Sequence, residues 1–196
     1  MMYSVFILML MWEKLIYVDQ NEVMEETKVM IDEKNPTLSI KEAVAKQVGV
    51  GAVIFNDLKN NRLNDIEFSL DDMLNFEGET GPYIQYTYAR TQSILSKSPS
   101  DIEAKPFTDL GESARPVIRI LQEFPLTVEH AYEQADPSIV AKYGLQLARS
   151  FNKYDAHNKI LHKDERLQNR LALCQSVSIV MKESMRLLGI NMRIEM

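Results

Sequence analysis

Asn75-Phe-Glu-Gly-Glu-Thr-Gly-Pro-Tyr-Ile-Gln-Tyr-Thr-Tyr-Ala-Arg90 is the stretch that most restricts what this chain can fold into. Gly81-Pro82 predicts a helix start, because the missing N–H of proline has no partner to lose in a first helical turn. From Tyr83 the residues suit a helix running to about Lys97. At about 100° per residue, Tyr83, Tyr86 and Arg90 fall near 0°, 300° and 340°, within one narrow sector. Ile84, Thr87, Tyr88, Thr91, Ile94 and Leu95 fall between about 20° and 140°, a separate and mostly apolar sector. One helix thus carries an aliphatic stripe that needs a core, beside two phenols and a guanidinium that do not. Two aromatics and an arginine on one face make a platform for unstacked bases. On residue types alone, tyrosines that merely border a core remain the competing reading.

The remaining pattern is helical. Glu22–Glu33 is an acidic amphipathic helix candidate with Val23, Thr27, Met30 and Ile31 inward, stopped at Asn35-Pro36. Ser39 and Glu42 form a capping box for a helix from Ile40 to about Asn60, which is expected to bury Ala43, Val44, Val48, Ala52, Phe55 and Leu58. Gly49-Val-Gly51 within it lacks the third glycine and the preceding strand of a dinucleotide loop, so close helix packing accounts for both glycines. Arg62–Phe76 is polar, with Ile66, Phe68 and Leu70 alternating as a short strand. Ser98–Pro106 reads as a linker. Beyond it, Pro116–Phe124 is a helix ended by Pro125, and Thr127–Gln134 is a second, short one. Asp136-Pro137 opens a helix that buries Val140, Tyr143, Gly144, Leu147, Phe151 and Tyr154. The last helix runs from about Glu165 to Leu188, with Leu167, Leu171, Cys174, Ser178, Met181, Met185 and Leu188 on one face and Gly189 as its C-cap.

Only seven glycines and an abundance of Leu, Met, Glu, Lys and Gln agree with an all-α fold. We expect a helical bundle with a small irregular N-terminal appendage. The net charge of −6 argues against a general nucleic-acid coat. It conceals an asymmetry: residues 141–196 carry ten Lys/Arg against five Asp/Glu, and residues 1–140 carry twelve against 23. A phosphate-bearing partner is drawn to the C-terminal third, although a solvated helical surface explains the same charges. Cys174 is the only cysteine, so no intrachain disulfide can form, which fits a reducing cytoplasm. Met1–Met11 is almost wholly apolar, yet too short to span a bilayer and without the basic region of a secretory signal.

Recognisable catalytic chemistry is missing. His157 and His162 lie about 140° apart on a helix and cannot share a metal on one face. Cys174 sits in an apolar stripe and reads as a small buried hydrophobe. Asp71, Asp72, Glu77 and Glu79 have no histidine nearby and read as a solvated face with helix N-terminal charges. The sequence contains no P-loop, serine elbow or zinc signature.

Residues 48–95, with Val-Gly-Val-Gly-Ala-Val-Ile-Phe-Asn-Asp-Leu-Lys-Asn-Asn-Arg and then Phe-Glu-Gly-Glu-Thr-Gly-Pro-Tyr-Ile-Gln-Tyr-Thr-Tyr-Ala-Arg, closely resemble arginyl-tRNA synthetases. They resemble the junction where the catalytic core passes into the helical anticodon-binding domain. The resemblance runs over about Val18 to Met196 and includes Arg170-Leu-Ala-Leu173, Leu187-Leu-Gly-Ile190 and the terminal methionine. It implies three segments: 1–17, apolar and unmatched; 18–74, a helical junction from the catalytic core; and 75–196, the anticodon-binding domain. The family's His-Ile-Gly-His-type ATP motif is absent, as is its Lys-Met-Ser-Lys-Ser-type loop, near whose place Met1–Met11 falls. We therefore expect a foreign or mis-started N-terminus and no arginine activation by the chain alone. ATP and magnesium belong to the intact family enzyme and no cofactor to this chain. By resemblance, Tyr83, Tyr86 and Arg90 match the first helix of the anticodon site, Tyr154 an aromatic near the end of a following helix, and Met196 a methionine that packs at the anticodon. The implied partners are the anticodon loop of an arginine tRNA and a separate catalytic domain, with no DNA and no membrane, in the cytoplasm. A free-standing tRNA-binding module and a helical protein-interaction module stay open beside this reading.

Overall fold

The computed structural model describes residues 23–32, 41–61, 69–98 and 110–193. All regular structure among them is helical: α1 over 23–32, α2 Lys41–Leu58, α3 Leu70–Leu74, α4 Gly81–Ser96, α5 Arg115–Glu133, α6 Ser138–His157 and α7 Leu167–Leu187, with a 3-10 turn Glu112–Ala114 before α5. None of these helices is long and apolar enough to cross a membrane. The expected appendage at 1–17, the Asn35-Pro36 stop, the Ser39 cap, the linker at 99–106 and Met196 lie outside the described residues.

Helix α4 sits at the centre, with α2 and α3 on one side and α6 and α7 on the other, while α5 covers α6 and α7. Its start follows from local chemistry. Thr80 is extended, its Oγ1 accepts from Tyr83 N at 3.2 Å, and Pro82 occupies the first turn. The apolar sector then drives packing. Ile84 is fully buried and meets Gly144 of α6, where an added Cβ would stand 3.4 Å from Ile84 Cδ1. Phe151 and Leu147 of α6 and Leu171, Leu173, Met181 and Met185 of α7 complete this core, each fully buried. Burying such a side chain contributes about 1.5–3 kcal/mol.

The two glycines of α2 serve contact. A Cβ on Gly49 would lie 2.9 Å from Val23 Cγ1, and one on Gly51 would lie 2.8 Å from Gln85 Nε2. Gly81 completes the crossing, since its Cβ would lie 2.8 Å from Gly51 O. Backbones thus approach where α2 meets α1 and α4. The segment after α7 closes the same corner: Ile190 is buried, and Arg193 donates to the Gln47 side chain. Gly189 has φ +76°, with Ile190 N donating to Met185 O and Gly189 N to Arg186 O, the paired bonds of a helix stop that requires a left-handed residue.

Several expectations are corrected. Pro125 does not end a helix; it lies inside α5. Val117, Ile120 and Ala131 are buried, and with Leu121, Phe124 and Val128 they form one stripe that runs unbroken past the proline. Proline removes one donor at Pro125, which is exposed, and the continuous stripe outweighs that loss. Ala43 is exposed, because at about 100° per residue it falls outside the sector that holds Val44, Ala45, Val48, Ala52 and Phe55, and Leu58 in the last turn of α2 is half-buried. Leu70 opens helix α3 rather than closing a strand, because Ser69 Oγ accepts from Asp72 N at 3.3 Å and caps the turn. Ile66 and Phe68 lie outside the described residues. Leu167 is half-buried rather than fully inward, being the first residue of α7.

Candidate nucleic-acid interface

Along α4 the exposed positions coincide with the aromatic and basic sector. Tyr86 is 45% exposed, Arg90 is exposed, and Tyr83 is half-buried at the border. Each has a local support. The Tyr86 ring stands edge-on to Phe76, with centroids 6.2 Å apart and planes at 76°, a favoured aromatic geometry. Phe76 comes from the turn before α4, which Thr80 holds by donating from Oγ1 to Asn75 O. That turn also approaches α6: Arg149 pairs with Glu79 at 2.8 Å, and Lys59 of the segment after α2 donates to Glu79 O at 3.1 Å. Tyr83 Oη accepts from Asn152 Nδ2 of α6 at 3.0 Å. Arg90 pairs with Asp155 of α6 at 2.6 Å, its guanidinium half-exposed and the carboxylate largely covered.

The surface is therefore a shared one, with Tyr83, Tyr86 and Arg90 on α4 and Arg149, Asn152 and Asp155 on the adjoining strip of α6. It offers one exposed aromatic face, a second phenol at its edge and several cations. Glu79 and Asp155 balance part of that charge.

Tyr154 stands apart from the other predicted site residues. It is 3% exposed, in the core with Phe151 and Leu171, and burial pushes its phenol pKa up. At about 100° per residue it points inward from α6, while Lys153 beside it faces solvent. The placement is the one the spacing of α6 predicts, so the part in the anticodon site that the resemblance implies for Tyr154 is that of a support from within the core. Cys174 is likewise buried, and burial with the nearby Asp155 carboxylate pushes its thiol up to about 12. It is a core residue.

Arg170 accounts for some of the basic charge of the C-terminal third without facing solvent. It is 8% exposed and donates to Ile160 O at 3.1 Å, to His162 O at 2.5 Å and to both oxygens of Asp164. The guanidinium holds the Asp164 carboxyl below the usual carboxylate range. Its work is to fasten the α6–α7 connection.

Phe76, Arg149, Asn152 and Asp155 were not singled out in the sequence: Phe76 ends a polar stretch, and no motif marks the three residues of α6. Each acquires its role by crossing from one element to another.

Comparison with known proteins bears on this surface. A family model described as "DALR anticodon binding domain" matches residues 84–196, more than half of the chain. A second, "tRNA synthetases class I (R), catalytic domain", matches residues 15–70. Arginine–tRNA ligase 2 of Bacillus anthracis is 50% identical over 175 residues, which cover 89% of this chain and 31% of the relative. Arginine–tRNA ligase of Enterococcus faecalis is 50% identical over 177 residues, covering 90% and 31%. The chain thus spans about a third of the length of these relatives. Among solved structures, Thermus thermophilus arginyl-tRNA synthetase superposes with a TM-score of 0.87 at 32% identity, covering 92% of this chain and 32% of that one. The enzyme from Plasmodium falciparum gives 0.81 at 25% identity, covering 93% and 33%.

Proposed function

From the premise that the chain belongs to the DALR anticodon-binding family, as found in the C-terminal portion of arginyl-tRNA synthetases, we propose that it binds the anticodon loop of an arginine tRNA on the α4–α6 face. The observation that carries this is the separation of faces on α4. Tyr86 and Arg90 are exposed while Ile84, Thr87, Tyr88 and Thr91 are buried, so the aromatic and the cation are not spent on the core. In this reading an unstacked base lies on Tyr86, held edge-on by Phe76, and Tyr83 meets its edge. Arg90 exchanges part of its ion pair with Asp155 for the ligand, and Tyr154 keeps the α6 side of the site rigid from beneath. Met196 belongs to the same site through the resemblance alone.

The reading assigns 18–74 to the junction from a catalytic core and 75–196 to anticodon binding. Arginine ligation would take place on a separate catalytic domain. ATP and magnesium enter with that core, to whose family model only residues 15–70 correspond. A cytoplasmic location follows from the same reading. The test is titration of the full chain with transcripts of an arginine tRNA and of an unrelated tRNA. Preference for the arginine tRNA of tenfold or more, about 1.4 kcal/mol, is the expected result. Equal and weak binding of both would reject the reading and leave a helical protein-interaction module.

A further inference from the structure

At the border of the exposed face, one small network fixes which way a hydroxyl points. Thr87 Oγ1 donates its hydrogen to Tyr83 O at 2.8 Å, within α4. Having only one hydrogen, Thr87 Oγ1 can face Asn152 of α6 solely as an acceptor. The Asn152 group 3.0 Å away must then be its NH2, whose second hydrogen reaches Tyr83 Oη, also at 3.0 Å. The opposite amide orientation would set Oδ1 against an oxygen whose hydrogen is engaged, and would turn both N–H groups into the place where Oδ1 now lies buried with no partner. Tyr83 Oη therefore accepts from Asn152, and its own hydrogen is not spent on that amide.

We propose that Tyr83 acts as a hydrogen-bond donor toward an acceptor on the edge of the base stacked against Tyr86, and that Asn152 is the positioning residue that sets this polarity. The acceptor is a base carbonyl oxygen or ring nitrogen. Tyr83 and Tyr86 are three residues apart on α4 and thus neighbours on its surface, one half-buried and one exposed. A base on the Tyr86 ring brings its edge toward the phenol beside it. The face then selects by chemistry as well as by stacking, because an edge that presents only a donor leaves the phenol hydrogen unmatched. This inference rests on the RNA-binding reading above.

The experiment uses four full-length proteins, wild type, Tyr83→Phe, Asn152→Leu and the double variant, each titrated with an arginine tRNA transcript. Tyr83→Phe should weaken binding by about three- to tenfold, the net worth of one hydrogen bond. Asn152→Leu should weaken it when the phenol is present and have no further effect in the Tyr83→Phe background, an affinity pattern that a merely structural residue would not produce. Losses that add in the double variant would overturn the positioning role. Tyr83→Phe is a conservative change at a half-buried site, so it decides the donor role even if Asn152→Leu does not fold. Abasic substitution at each loop position in turn, which keeps every phosphate, identifies the acceptor. The Tyr83→Phe loss should vanish on one abasic RNA; an equal loss on all of them would place the hydroxyl on a phosphate and overturn the base-edge assignment. Tight wild-type binding that Tyr83→Phe leaves unaltered would overturn this inference alone. Failure of the wild type to bind any of these RNAs would overturn the RNA reading and the inference with it.

Discussion

Tyr86→Ala and Ile84→Ala, two residues apart on α4, should have opposite consequences. Tyr86 is 45% exposed and its main ring contact is the edge-on pair with Phe76 at 6.2 Å. Losing that pair costs about 0.5–1.5 kcal/mol. For a chain of this size such a loss lowers the melting temperature by about 1–6 °C. Losing a base–aromatic stack costs about 1–3 kcal/mol of binding, so tRNA affinity should fall about five- to 150-fold. Ile84 is fully buried against Gly144. Its truncation leaves a cavity between α4 and α6 and should cost about 2–5 kcal/mol of stability. That corresponds to roughly 4–20 °C in melting temperature, with affinity retained by the folded fraction. Thermal melts and tRNA titrations on both variants measure the contrast. If Tyr86→Ala melts the domain as badly as Ile84→Ala and leaves affinity untouched, the exposed face of α4 is not the platform.

Arg170→Met should be strongly destabilising without a direct effect on RNA contacts, since it strips the donor from the Ile160 and His162 carbonyls, about 1–3 kcal/mol for each one left buried and unpaired. The Arg170–Asp164 pair also contributes to acid sensitivity. Asp164 is held below its ordinary range, so its contribution is complete above the unfolded carboxylate pKa and disappears as pH falls through the folded one; Asp164→Asn should flatten that part of the acid limb in melts against pH. Cys174, with its thiol pushed up to about 12, should resist a thiol-reactive dye at pH 8 in the native protein and react fully in denaturant; rapid native labelling would contradict its burial. RNA affinity should fall with salt, but shallowly. With two or three cations at the α4–α6 face, the slope of log affinity on log salt should lie near about −2 rather than the value of about −7 that all ten basic residues of the C-terminal third would give.

Legibility in the sequence followed the range of the forces involved. Periodicity located α1, α2, α4, α6 and α7 because burial acts on whole faces: Val140, Tyr143, Gly144, Leu147, Phe151 and Tyr154 are all buried as their spacing requires. Caps were legible where one residue type dominates, as with Asp136 Oδ1 accepting from Ser138 N at 2.9 Å and Gly189 at the end of α7. Pro125 misled because a local rule was outweighed by a stripe on the other side of the same helix. Ala135 takes φ +48° between α5 and α6, a conformation that glycine would have advertised and alanine does not. In the candidate site, the exposed face of α4 could be read from angles alone. What could not be read was everything that depends on a second element: Phe76 against Tyr86, Asn152 against Tyr83, Asp155 against Arg90. The inward turn of Tyr154 was present in the spacing of α6, while the family resemblance spoke only of its membership in the site and not of its burial.

Nuclease footprinting of an arginine tRNA bound to the full chain tests the central claim most directly. Protection should be confined to the anticodon loop and its adjoining stem, and Tyr86→Ala should remove it from the loop at concentrations that saturate the wild type. Protection of the acceptor stem alone, or a loop that stays equally protected in Tyr86→Ala, would contradict an anticodon site on the exposed face of α4.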